Sequence, residues 1–187
     1  PPPSFVPNGF SPTTLEQGIW AYTDGSVRKL IAGCSCLILT NYKPPLITHN
    51  NFYLVCKKTY LISSTYAELE GILIALQMAP PHMNLFIVTD SKPALTLFEK
   101  ITTINEIGWH KYFHILHKIL ESYSARTAPT KITWVKAHKG HWGNEMANEA
   151  AQWITTQSTP LYTLDPLPLW LKNLYPIGKI NRREIVF

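Results

Sequence analysis

The segment NLFIVTD, residues 84–90, is a short and almost unbroken apolar run set between two stretches of a different period. Ahead of it, SSTYAELEGILIALQMAPP repeats Leu69, Ile72, Leu73 and Leu76 at helical spacing, with Ser and Thr to cap a helix and Pro80 and Pro81 to stop it. Behind it, SKPALTLFEK restarts a helix with Ser91 as cap and Pro93 in the first turn. A strand without a polar face must be covered on both sides, and helices next to it in sequence are what cover it. The chain is thereby confined to an α/β sheet around a buried central strand.

The N-terminal half supplies the rest of the sheet. GIWAYTDGS carries apolar and aromatic residues into a turn expected at Asp24 and Gly25, and GCSCLILT follows as a second strand. After NYKPP a third strand is expected near THNNFYLVC. Connections this short leave no room for a crossover helix, so the three form an antiparallel meander. Residues 106–123, EIGWHKYFHILHKILESY, read as a further amphipathic helix, KITWV as a last strand and GNEMANEAAQWITT as a last helix. The expected fold is a mixed five-stranded α/β sheet, three antiparallel strands then two parallel, with helices on both faces. Residues 1–16 read as a Pro-rich linker, 17–157 as the domain and 158–187 as a Leu/Pro-rich C-terminal extension. That extension is too apolar for a solvated tail and is expected to dock on the domain or on a neighbour.

Seventeen Lys and Arg against 12 Asp and Glu leave a formal charge of +5, which permits a polyanionic partner without requiring one. Cys34, Cys36 and Cys56 form no CxxC pair, and the CSC spacing places two of them on one strand face, so they are assigned to the core. Such usage points to a reduced, intracellular protein of cytoplasm or nucleus. No apolar run approaches the roughly 18 residues that cross a bilayer, and the proline-led start has no signal-peptide pattern. A soluble protein with no membrane partner is expected.

Three carboxylates stand at comparable places: Asp24 at the end of the first strand, Glu68 in the first turn of the first helix, and Asp90 at the end of the central strand. Ligands of α/β sheets collect at such strand ends. Taken singly, each acid reads as a turn or capping residue. Should the first and fourth strands be neighbours, the three converge, and like charges so close raise one another's pKa unless a cation joins them. Carboxylate oxygens are hard ligands suited to Mg²⁺, and a pair of such ions supports attack of water on a phosphodiester.

YTDGS, STYAELEGILIAL, IVTDSKPAL and WVKAHKGHWGNEMAN, in that order between Ile19 and Thr156, resemble the ribonuclease H family, in the form attached to reverse transcriptases of retroelements. The resemblance implies an RNase H-like fold and an endonuclease that cuts the RNA strand of RNA·DNA hybrids, leaving a 5′-phosphate on the RNA product. It implies two Mg²⁺ ions, with Mn²⁺ as substitute, held by Asp24, Glu68 and Asp90, of which Asp90 reaches both. It makes His138 the mobile histidine that serves proton transfer or product release, and a reverse transcriptase polymerase domain a partner. Near the acids, Gly25 and Ser26 would bring backbone close to the RNA strand, and Ser63, Ser64 and Thr65 stand where the family contacts the hybrid. His141 is assigned to loop packing or phosphate contact, and His110, His114 and His117 to a solvated helix face. The interval around Trp109, Lys111 and Lys118 falls short of the basic protrusion found in some members, which shifts binding towards a partner domain or the patch at Lys179, Arg182 and Arg183.

One position departs from the family pattern. Its fourth acid falls on Asn148, whose amide oxygen can coordinate an ion or a metal water but brings no charge, so the second ion is held more weakly. Glu149 is no substitute, because the next helical residue is rotated by about 100 degrees. Asn148 leaves open a natural variant of reduced activity, a lapsed nuclease serving as a hybrid-binding module, or a deliberate substitution. A nuclease or integrase of the same fold acting on DNA is a further alternative.

Overall fold

A computed structural model of the chain describes residues 18–39, 52–137, 141–164 and 167–174. Along the chain it places β1 (Ile19–Arg28), β2 (Ile31–Leu39), β3 (Phe52–Thr59), α1 (Ser64–Met78), β4 (Leu85–Thr89), α2 (Lys92–Ile104), α3 (Phe113–Ser124), β5 (Thr130–Trp134), α4 (Trp142–Ile154), β6 (Leu161–Leu164) and α5 (Leu169–Leu174). Their spatial order in one sheet is β5-β4-β1-β2-β3-β6. The first three strands are the expected antiparallel meander, and β4 and β5 join β1 in parallel. All five residues of β4 are buried, as its unbroken apolar run requires.

Alternation along the strands divides the core between two faces. Trp20, Tyr22, Leu37, Leu54, Phe86 and Val88 face α4 and α5, while Ile19, Ala21, Ile38, Leu85 and Ile87 face α1, α2 and α3. The three cysteines are free and buried; Cys34 and Cys36 share the face under α1, whereas Cys56 lies on the other. Burial pushes all three thiols up, which keeps them in the inert form.

Four expectations need correction. The sheet has six strands rather than five: the extension contributes β6, which pairs with β3 from Leu54↔Leu164 to Lys57↔Leu161. Without it β3 would be an edge strand with a row of unpaired backbone groups. Asp24 and Gly25 do not turn. They continue in β1, paired with Ser35 and Cys34, and the reversal falls on Lys29 and Leu30, with Lys29 in the left-handed region at φ 55. The helix expected over 106–123 begins only at Phe113. Asn105 ends α2 in the left-handed conformation, and the His110 ring accepts the Tyr112 backbone N–H at 3.0 Å, which holds the preceding segment in a non-helical path. Glu68, finally, opens the second turn of α1, because that helix starts at Ser64 with Ser63 as its cap.

Candidate metal centre

The β1–β4 ladder ends at Tyr22↔Val88, and Asp24 and Asp90 each lie two residues beyond it. Adjacent strands run about 4.8 Å apart, so equal offsets bring the two side chains to one level. Glu68 arrives from above. Helix α1 crosses the sheet where glycines let it descend: a Cβ on Gly25 would sit 2.7 Å from the Glu68 backbone nitrogen, and one on Gly71 would sit 3.2 Å from the Ser35 carbonyl oxygen. One carboxylate oxygen from each of Asp24, Glu68 and Asp90 lies within 4.8 Å of the others. Sequence reasoning brought these three together, and the fold does so.

Asp24 and Glu68 are almost wholly buried, and Asp24 Oδ2 and Glu68 Oε2 have no hydrogen-bond partner among the described residues. Burial, then the charge of Asp90, raises the Asp24 pKa from 3.8 to about 7, while Glu68 and the Gly25 backbone N–H pull it back. Glu68 is raised well above its ordinary value, first by burial and then by Asp24. Two buried acids with unmatched oxygens beside a third form a site that favours either protons or a cation. Hard oxygen donors that converge from three elements fit a divalent ion, and they are the donor set that Mg²⁺ or Mn²⁺ takes.

Asn148 is half-buried on α4. That helix is fixed to the same strands: the buried Ser35 hydroxyl donates to the Ala147 carbonyl at 2.6 Å, and Gly143 lies so close to the Tyr22 ring that a Cβ there would collide with it. Ser35 is the cross-strand partner of Asp24, so Asn148 follows directly on the residue that links α4 to the Asp24 pair. One turn earlier Asn144 is buried with Oδ1 unpartnered among the described residues. Its polar amide inside an apolar helix face was the signal sequence reasoning passed over.

The positions expected at the hybrid differ in their surroundings. Gly25 and Ser26 are half-buried in β1, and the space a Gly25 side chain would occupy is filled by α1. Ser63 is engaged twice, accepting the Tyr66 backbone N–H at 3.3 Å and meeting the Tyr112 hydroxyl at 2.6 Å. Ser64 is exposed and Thr65 half-buried. His138, with Lys179, Arg182 and Arg183, lies outside the described residues. His141 precedes α4 half-buried, and burial lowers its pKa against the opposing pull of Glu145. Trp109 is fully exposed on the segment before α3, where it lines an open cavity of about 570 Å³ with His110, Lys111, Phe113 and His114. No helix among the described residues is long and apolar enough to cross a membrane.

The RNase H family model matches residues 16–155 of the chain. Among solved structures, the chain is similar to LC9-RNase H1, described as a type 1 RNase H with the type 2 active-site motif, at a TM-score of 0.59 and 16% identity over 80% of this chain and 79% of that one. No curated protein matches significantly.

Proposed function

Because the chain belongs to the RNase H family, we propose that it is a divalent-metal-dependent endonuclease that hydrolyses the RNA strand of RNA·DNA hybrids, working beside a reverse transcriptase polymerase domain. Family membership supports a nuclease of the ribonuclease H type; the observation that carries the finer reading is the convergence of Asp24, Glu68 and Asp90 with buried, unmatched oxygens. These three would hold Mg²⁺, or Mn²⁺ in its place, with the Asn148 amide oxygen as a neutral fourth donor. When bound, such ions supply Lewis acidity and a water acidic enough to attack phosphorus at neutral pH. The protein's own contribution is placement. The register of β1 with β4 brings Asp24 and Asp90 to one level, α1 lowers a third carboxylate onto them, and the Gly25 N–H steadies the Asp24–Glu68 pair. His138 is assigned proton transfer or product release after cleavage.

Recognition of the hybrid rests on backbone near Gly25 and Ser26 and on the hydroxyls of Ser64 and Thr65, with Ser63 holding the helix start in place. RNA is told from DNA by its 2′-hydroxyl, presented across a wide and shallow minor groove. Exposed Trp109 beside Lys111 and His114 adds a stacking and phosphate surface. Phosphate contacts of this kind make affinity fall steeply with salt.

Asn148 favours a second reading, a hybrid-binding module with little or no cleavage. The active-site set is not fixed by this fold, since the similar structure is by its own description a type 1 enzyme with a type 2 motif. Cleavage of an end-labelled hybrid in Mg²⁺ and in Mn²⁺, with duplex DNA as control, separates the readings. Cutting of the hybrid alone, abolished by Asp90→Asn and raised by Asn148→Asp, is the expected result. Cutting restored only in Asn148→Asp would establish the silent module, and cutting of duplex DNA would establish a DNA-directed nuclease.

A further inference from the structure

Asp24 lies inside a strand ladder and Glu68 inside a helix, so regular backbone hydrogen bonds orient both. Asp90 has neither support. It follows the last residue of β4 and precedes Ser91, the cap of α2, and its side chain is only half-buried. A carboxylate at such a junction is aimed by the peptide unit that follows it, made of the Asp90 carbonyl and the Ser91 N–H. In this structure both polar groups of that one unit are held by side chains. The indole N–H of Trp134 donates to the Asp90 carbonyl at 3.0 Å, and the Ser91 N–H donates to Thr89 Oγ1 at 3.1 Å.

The two holders are themselves fixed. Thr89 is wholly buried and its own carbonyl accepts the Val135 N–H at 2.9 Å. Trp134 is paired with Thr89 in the β4–β5 ladder, and the Lys92 ammonium sits 4.4 Å from the centre of its ring, tying the indole to the first turn of α2. Ser91 Oγ is occupied by the Ala94 N–H and does not compete.

We infer that Trp134 and Thr89 are positioning residues for Asp90, clamping the peptide unit behind it so that the third carboxylate is aimed before a divalent ion arrives. The inference rests on the metal-dependent reading above. Groups that orient a ligand without touching the ion typically change affinity by about 10-fold or more when removed. Mere packing would not distinguish a donor from an isostere of the same shape.

The test is calorimetric Mn²⁺ titration of the full chain and of Trp134→Phe, Thr89→Val, Thr89→Ser and Asp90→Asn, with melting temperatures and hydrogen exchange at the Ser91 amide measured on the metal-free proteins. Phe keeps an aromatic ring beneath Lys92 and removes the N–H donor with part of the indole's bulk, which the melting temperature reports; Val keeps the shape of Thr and removes the hydroxyl that accepts the Ser91 N–H. Mn²⁺ affinity is expected to fall about 10-fold in Trp134→Phe and in Thr89→Val and to stay near the parent value in Thr89→Ser. The Ser91 amide is expected to exchange faster in Thr89→Val than in Thr89→Ser. Parent-like Mn²⁺ affinity in both Trp134→Phe and Thr89→Val would overturn the clamp while leaving the metal site intact. A parent chain that binds no more Mn²⁺ than Asp90→Asn would overturn the functional reading, and the clamp with it.

Discussion

Replacing Gly25 by Ala adds one methyl group where α1 rests on β1. The new Cβ would lie 2.7 Å from the Glu68 nitrogen, 2.8 Å from the Ala67 Cβ and 2.9 Å from the Ala67 carbonyl carbon. Two of these are helix backbone, which cannot swing aside as a side-chain tip would. The shortest contact falls about 0.7 Å below the 3.4 Å at which ordinary contact begins, so α1 must lift or tilt, and Glu68 moves with it. Overpacking of this kind costs about 1–3 kcal/mol. Gly25 lies in a strand, where alanine is conformationally permitted, so the backbone term alone would favour Ala by roughly 0.4–1 kcal/mol. A net loss is therefore a signature of the collision. Displacing a reacting group by close to 1 Å lowers a rate by about 100-fold, and single-turnover cleavage at saturating hybrid should fall towards that limit. Urea unfolding gives the stability and the single-turnover assay the rate. Parent values in both would refute the packing argument; parent stability with a raised KM alone would transfer the glycine's role to substrate approach.

Three further outcomes are expected. In metal-free protein the pKa of Asp24 is raised from 3.8 to about 7 and that of Glu68 is raised as well, so the folded state holds protons that the unfolded chain releases. Stability should then fall as pH rises from about 4 to about 7 in chelator, and saturating Mn²⁺ should reverse that slope near neutral pH; a flat melting profile in chelator would count against the buried pair. Truncation after Gln157 removes β6 and the wholly or nearly wholly buried Leu167 and Leu171, each worth about 1.5–3 kcal/mol, and strips Tyr162 and Trp170 from Trp153. The shortened chain should unfold at clearly lower urea, and an unchanged midpoint would make the extension an appendage. Ser35→Ala removes the donor to the Ala147 carbonyl and should cost about 1 kcal/mol by urea unfolding; made in the Asn148→Asp background, it should also lower cleavage by more than the lost stability explains.

Sequence periodicity carried the long elements because burial leaves a regular trace on them. The helices at α1, α2 and α4, the meander and the buried β4 were all legible, as was the meeting of Asp24, Glu68 and Asp90 once β1 and β4 were taken as neighbours. What failed were local signals overruled by partners distant in sequence. Asp24-Gly25 has the chemistry of a hairpin turn, yet pairing with Ser35 and Cys34 keeps it extended. The apolar period from Glu106 extends through Gly108, yet the chain there follows the left-handed Asn105 that closes α2, and the next helix does not begin until Phe113. β6 has four residues and only alternate half-burial, too little pattern to stand out among prolines. The supports of Asp90 were invisible for another reason: a hydrogen bond from Trp134 to a carbonyl 44 residues away has no periodicity to read.

The equal offset of Asp24 and Asp90 beyond the Tyr22↔Val88 pair has an evolutionary corollary. In a strand, successive side chains point to opposite faces, so gaining or losing one residue within β1 or β4 sends that strand's acid to the wrong side of the sheet. The loops around these strands are free to lengthen at small entropic expense. Descendants of this sequence should therefore accumulate insertions and deletions in the connections while the residue count of Ile19–Asp24 and Leu85–Asp90 stays locked, a constraint on length that holds even where side-chain identity drifts.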